Sequence, residues 1–373
     1  MISTRKDFSF KIHVAVFALF LCCFSGLAQL KDTTASFKFG GYADAYYAYY
    51  TDSVGIKNYQ KFPAISPRSN VFSLNVLQLT AQYTSAKIRS SAAIFYGDIP
   101  SSAWSPVFNF IQEANVGFRL SKKVWLDAGL FKTHIGTEAL LPKDNITSSL
   151  SIITVYEPWF QSGLKLDYTP SDKLSFCLHL LNGYNTFVET NSKKSVGITA
   201  IYKLGDKGNI GYYNLMGDDT PDGIKTSHFR VLNNLAFNYD VTPKIKLSIG
   251  LDYISQTNSG IRDSTKMASI YSAIVTMRYQ LKSKLGIYGR WDMYNDQDGF
   301  LSGRIVDSRL MYTGYVMNGI TAGLEYKVAE NSYIRLEGRQ LIMDSNQKIF
   351  YSNGNPTNQR SEIMLHAGIW FNK

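Results

Sequence analysis

Residues 244–253, KIKLSIGLDY, put Ile245, Leu247, Ile249, Leu251 and Tyr253 on alternate positions, with Lys246, Ser248, Gly250 and Asp252 between them. A side-chain period of two marks an extended strand with one apolar and one wet face. A tight connection, VTPK at 241–244, precedes the stretch, and a longer polar one at 257–267 follows it. The same unit recurs. KVWLDAGLF (123–131) sets Val124, Leu126, Ala128 and Leu130 against Trp125, Asp127, Gly129 and Phe131. KLGIYGRWDMY (284–294) sets Leu285, Ile287, Trp291 and Met293 against Tyr288, Arg290, Asp292 and Tyr294.

Little of the chain has helical apolar spacing. About sixteen strand segments are read, near 36–50, 69–84, 86–98, 108–120, 123–134, 157–168, 173–184, 194–204, 208–216, 228–240, 244–256, 268–281, 284–295, 316–327, 332–343 and 361–371. Most have the roughly 9–11 residues that a tilted membrane strand needs. Their connections alternate. Short turns such as SKK, PSDK, GDKG and KSK lie between longer polar stretches near 51–68, 99–107, 135–156, 185–193, 217–227, 257–267, 296–315 and 344–360. That asymmetry predicts an all-β, antiparallel, up-and-down transmembrane barrel with short periplasmic turns and long external loops, as in Gram-negative outer membranes. A soluble sandwich has no reason to sort its connections this way.

The ends of the chain agree. Arg5, Lys6 and Lys11 precede the apolar run IHVAVFALFLCCFSG, and GLAQ offers small residues at Gly26 and Ala28, so residues 1–28 are expected to be a cleaved signal peptide and 29–373 the barrel domain. Cleavage takes the formal charge from +10 to about +8 and removes Cys22 and Cys23, leaving Cys177 without an intrachain partner. The charge alone is a weak argument for nucleic acid, and no nucleic-acid partner is expected. No later stretch approaches 18 continuous apolar residues, so no membrane-spanning helix is expected. EIMLHAGIWFNK (362–373) reads as a last strand of the kind recognised by barrel-assembly machinery, although Asn372 and Lys373 follow the aromatic Phe371.

GGYADAYYAYY (40–50) carries tyrosine on both faces. Phe37, Phe39, Ala43, Ala45, Tyr47 and Tyr49 share one side, and Lys38, Tyr42, Asp44, Tyr46 and Tyr50 the other. Tyrosine suits a lipid interface on the outside and a polar lumen on the inside. This opening strand, together with the run from FIQEANVGF to LLNGYN (110–185), resembles the OmpL-like β-barrel porin-2 family, and the resemblance extends over nearly all of the mature chain. It implies an outer-membrane channel but brings no substrate with it.

Alternation assigns the pore-lining candidates: the bases Lys38, Arg89, Arg119, Lys165, Lys246, Arg278, Arg290, Arg335 and Arg339, and the acids Asp44, Glu113, Asp127, Asp167, Asp252, Asp292, Glu325 and Glu337. The cluster Arg335, Glu337 and Arg339 reads either as a ladder attracting anions or as a wall network with Glu337 held between two arginines, and the second is the more ordinary arrangement. The loop at 135–156 is the candidate constriction, with Glu138, Lys143 and Asp144 as its polar residues and Asp144 capping a short helix. An external loop packed over the rim is the alternative.

The expected function is diffusion of small hydrophilic solutes and ions through a wet lumen, passive or weakly selective, because about sixteen strands leave an aqueous channel. The competing readings are a non-conducting barrel with adhesive or structural loops and, further off, a barrel enzyme. His134, His179 and His366 lack metal-ligand spacing, no catalytic motif is evident, and no cofactor or metal is expected. Lipid and solutes are the expected partners, and the architecture leaves a homotrimer open.

Overall fold

The computed structural model describes residues 35–52, 58–60, 62 and 64–373. The expected signal peptide lies outside the described residues. Sixteen antiparallel strands close into one barrel in chain order. They begin with β1 Ser36–Tyr50, β2 Val71–Thr84, β3 Ile88–Tyr96, β4 Ile111–Ser121, β5 Val124–Lys132, β6 Phe160–Tyr168, β7 Leu174–Leu181 and β8 Ser195–Lys203. They continue with β9 Gly208–Asp218, β10 Phe229–Thr242, β11 Ile245–Gln256, β12 Ala268–Lys282 and β13 Leu285–Asn295. A small hairpin, β14 Ile305–Val306 and β15 Tyr312–Thr313, sits in the next loop before β16 Val316–Tyr326 and β17 Ser332–Met343. A second one, β18 Phe350–Ser352 and β19 Asn355–Thr357, precedes the last strand, β20 Gln359–Asn372.

Each of the sixteen expected segments is a barrel strand, including 194–204 and 208–216, whose patterning is weakest. Closure pairs β1 with β20, Gly41 facing Phe371 and Tyr47 facing Leu365. It leaves no open edge, so strand backbones are hydrogen-bonded without help from lipid. The outer face is apolar and exposed, as at Leu251, Leu324 and Ile369. Exposed aromatics gather near the short turns, at Phe37, Phe118, Tyr168 and Tyr326, and near the long loops, at Tyr49, Phe72, Tyr96 and Tyr271. Two such belts are the interfacial girdles of a membrane barrel.

The interior differs from the wet lumen expected. Toward the loop end, Leu215, Leu232, Ile254 and Ile270 form a cross-strand row on the inner face of β9 to β12. Loop residues Phe62, Ile135, Ile152, Ile153 and Phe350 pack on this row and its neighbours. A second apolar cluster joins Ile65, Ile99, Trp104, Leu141 and Leu150 to Tyr42, Phe95 and Tyr333 of the wall. The physical reason is that these inner positions face inturned loops instead of water, and each apolar side chain so covered contributes about 1.5–3 kcal/mol to keeping the loop inside.

Candidate functional site: a strap across the lumen

The segment joining β5 to β6 leaves its own side of the barrel and is bonded to β13 and β17 on the opposite side. Gly129 and Gly163, paired across β5 and β6 at its two roots, have φ of 138° and 153°. An added Cβ would lie 2.3 Å from the Ala114 carbonyl at the first and 2.0 Å from the Leu180 carbonyl at the second. Only glycine accepts both the dihedral and the approach.

Across the lumen, wall side chains satisfy the strap's backbone. Arg290 donates to Glu138 Oε1 at 2.8 Å, Ser149 O at 2.6 Å and Leu150 O at 3.0 Å. It also holds Thr147 and Ser149 by their hydroxyls and its own neighbour Asp292 at 3.1 Å. Glu337 accepts from the amides of Ser148 and Ser149 at 2.6 and 2.9 Å and from the Tyr288 hydroxyl at 2.9 Å. Arg335 donates to the carbonyls of Pro142, Asn145 and Thr147 and to Glu325. Asp292 accepts from the Ile152 amide at 2.9 Å, and Glu138 from the Ser151 amide at 2.6 Å.

This exchange corrects the expected helix. Asp144 ends a single 3-10 turn, Pro142–Asp144, and the α-helix is Ile152–Tyr156 with Ser151 at its N-cap position. Between them the backbone donors and acceptors go to Glu337, Arg335 and Arg290, which removes the drive to close a helical turn.

The candidate residues thus fall into groups. Arg290, Asp292, Arg335, Glu337 and Glu138 meet at the strap, with Glu325 behind Arg335 and within 2.6 Å of Arg278. Arg339 adjoins Asp292 and Glu362 at 3.5 and 3.9 Å. Lys143 pairs with Asp144 and lies over the Tyr42 ring. Arg89 bonds both Asp127 and Asp167 on a different stretch of wall, Lys165 lies over the Phe131 ring, and Glu113 is 3.5 Å from Lys132. Lys38, Arg119 and Lys246 are exposed near the short-turn end.

Asp44 belongs to another buried network. A bulge in β2 turns both Asn75 and Val76 inward, and the Asn75 amide donates to Asp44 at 2.9 Å. Tyr333 donates to Asp44 at 2.6 Å, while His366 Nδ1 is 3.0 Å from Asp44 and its Nε2 is 3.2 Å from Ser66 Oγ. Ser66, His366 and Asp44 stand in the order of a hydrolase relay. The adjoining cavity has a volume of about 10 Å³, the size of one water at most, and all three residues are buried. The chain of bonds fastens the first loop to the wall.

Residues that strand alternation missed are Glu157, Arg360 and Glu362. The first fell at a soft strand boundary. The buried pair Arg360 and Glu362, at 2.5 Å, continues the inward set that ends at His366 and was legible from it.

A closed sixteen-stranded barrel with aromatic girdles and an inturned third long loop is the architecture of an outer-membrane porin. The chain belongs to the OmpL-like β-barrel porin-2 family, whose profile matches residues 36–371. No curated protein sequence matches it. Among solved structures it is similar to an anion-selective porin from Comamonas acidovorans, with TM-score 0.62 and 10% identity over 90% of this chain and 100% of that one. The outer-membrane channel DcaP of Acinetobacter baumannii aligns with TM-score 0.60 and 10% identity, covering 92% of this chain and 100% of that chain. OmpT of Vibrio cholerae aligns with TM-score 0.58 and 10% identity, covering 92% and 99%. At such identity the likeness speaks for the fold.

Proposed function

We propose that the protein is a diffusion channel for small hydrophilic solutes, with the strap at 135–156 setting the width of the passage and its polar surroundings setting ion preference. The observation that carries this reading is the two-sided fastening of the strap, by Arg290 and Arg335 on its carbonyls and by Glu337 and Asp292 on its amides. A loop meant for adhesion gains nothing from being tied to the inner wall, whereas a constriction needs fixed geometry to discriminate among solutes. The buried arginines of the former ladder are engaged with the strap and with Glu325, Asp292 and Glu362. Their role in this reading is to position the strap, and the network reading is favoured over an anion ladder.

Single-channel recording of the refolded mature chain under a salt gradient tests the proposal. Stepwise openings with a defined reversal potential are expected, and a heat-modifiable barrel that never conducts would favour the adhesive or structural alternative. The family and fold argue for a channel over an enzyme. The mass of the unheated protein in detergent distinguishes a homotrimer, which the architecture leaves open, from a single barrel.

A further inference from the structure

Once the strap's pairings are made, one acidic feature is left over. Glu157, just after the helix Ile152–Tyr156, and Asp252 of β11 are buried, with 3% and 5% of their surface exposed. Their carboxyl groups meet at hydrogen-bonding range. Apart from a proton shared between the two carboxyls, Glu157 Oε1 and Asp252 Oδ2 receive no hydrogen bond among the described residues. The neighbouring groups serve other oxygens: Asn234 donates to Asp252 Oδ1 at 2.6 Å, and the Thr154 hydroxyl pairs with that of Ser151 at 2.9 Å. At such range the two carboxyls either share a proton or take a cation between them.

A cavity of about 500 Å³ opens beside Glu157, lined also by Lys132, Thr137, Glu138, Trp159 and Tyr213. Its other charges are accounted for. Glu138 is bonded to Arg290, Asp144 is paired with Lys143, and Lys132 lies 3.5 Å from Glu113. Glu157 is therefore the lining acid whose charge is not met by a base among the described residues. The aromatic faces of Trp159 and Tyr213 are suited to a cation or to the carbon stem that carries one. Among the described residues no group of three or more His, Cys, Asp or Glu side chains is placed to hold a metal ion. A monovalent group that donates several hydrogen bonds fits two orphaned oxygens better.

We infer that this cavity is a binding station for solutes bearing a primary ammonium group, which donates to Glu157 Oε1 with Asp252 Oδ2 behind it while the remainder lies against Trp159 and Tyr213. The inference rests on the channel reading for its role in transport but not for its binding chemistry. It makes the passage selective for amines, contrary to what the arginine content of the wall suggests.

The test uses the refolded full mature chain and propylammonium chloride, with equal concentrations of propanol and sodium propionate as neutral and anionic controls. In potassium chloride, propylammonium is expected to interrupt open-channel current where the controls do not. Glu157→Gln is expected to raise the half-blocking concentration about tenfold, the loss of one charge-assisted hydrogen bond. Openings without amine-specific interruption would overturn the inference and leave the channel standing. If no channel opens, the channel reading fails and binding is read from tryptophan fluorescence titrated with the same three solutes. A saturable response to propylammonium alone, weakened by Glu157→Gln, would sustain the site, and identical responses to all three would overturn it. Heat-modifiable mobility establishes that the variant has folded, and Asp252→Asn replaces it if it has not. A pair that only shares a proton gives no amine dependence in either assay.

Discussion

Arg290 and Glu138 are 152 residues apart in sequence and 2.8 Å apart in space, so the strap is fastened to the wall opposite its own roots. The Arg290 side chain has no exposed surface, and its donors go to Glu138, Asp292, the strap's oxygens and the Thr321 hydroxyl of the wall. Such a buried ion is stabilising only while every partner is present.

Arg290→Met is accordingly expected to leave Glu138 and Asp292 uncompensated and to cost on the order of 3–5 kcal/mol. Because the barrel ladder does not pass through this side chain, the loss falls first on the strap. The measurable result is a larger and noisier single-channel conductance with the heat-modifiable barrel retained. Unchanged conductance in a folded variant would mean that the strap does not bound the passage.

Gly163 tests the roots of the strap independently of charge. Gly163→Ala combines a φ of 153° with a Cβ placed 2.0 Å from the Leu180 carbonyl, and backbone cannot yield as a flexible side-chain tip does. The expected outcome is a loss of about 1–3 kcal/mol, read as a lower temperature for the mobility shift between folded and unfolded forms. Gly205→Ala, at a turn with open space around it but φ of 64°, should cost less.

The barrel was legible because its signals are local and repeated: period two within strands, and short and long connections in alternation. What fills it was not. Leu232 follows Val231, Ile254 follows Tyr253 and Met317 follows Val316, so apolar residues stand on both faces at the loop ends of strands. Read locally, such doublets look like blurred alternation. Their cause is contact with Ile152, Ile153 and Phe350, which come from loops far away in sequence. The inward charges were legible as a set, yet which acid meets which base depends on the path of the strap. Glu337 illustrates this: it stands between Arg335 and Arg339 in sequence, but binds the amides of Ser148 and Ser149.

The Ser66, His366 and Asp44 relay yields a prediction that separates fastening from catalysis. Ser66→Ala removes one buried hydrogen bond and is expected to lower stability by about 1 kcal/mol. A serine-directed fluorophosphonate should leave the folded barrel unlabelled, since the space beside Ser66 is about 10 Å³. Covalent labelling at Ser66, detected by mass spectrometry as a phosphonate ester formed with loss of fluoride, would show that the first loop opens and admits the reagent.

Glu157 sets a pH dependence whose sign follows from its surroundings. Burial, reinforced by the neighbouring Asp252 charge, holds its carboxyl well above the ordinary value of 4.5. Folding therefore favours the protonated form, and between the unfolded and folded values the native state binds more protons than the unfolded one. The sign is opposite to that of a salt-bridged carboxylate: this contribution is fully present below about pH 4.5 and is lost as pH rises through the raised folded value. The thermal midpoint of the mobility shift should therefore fall with rising pH above 4.5 in the native chain. In Glu157→Gln, where the amide cannot ionise and can donate to Asp252, that part of the slope should disappear. A variant retaining the full slope would place the titrating group elsewhere. Propylammonium at saturating concentration should flatten the same slope in the native chain, because a bound cation compensates the charge that rising pH exposes.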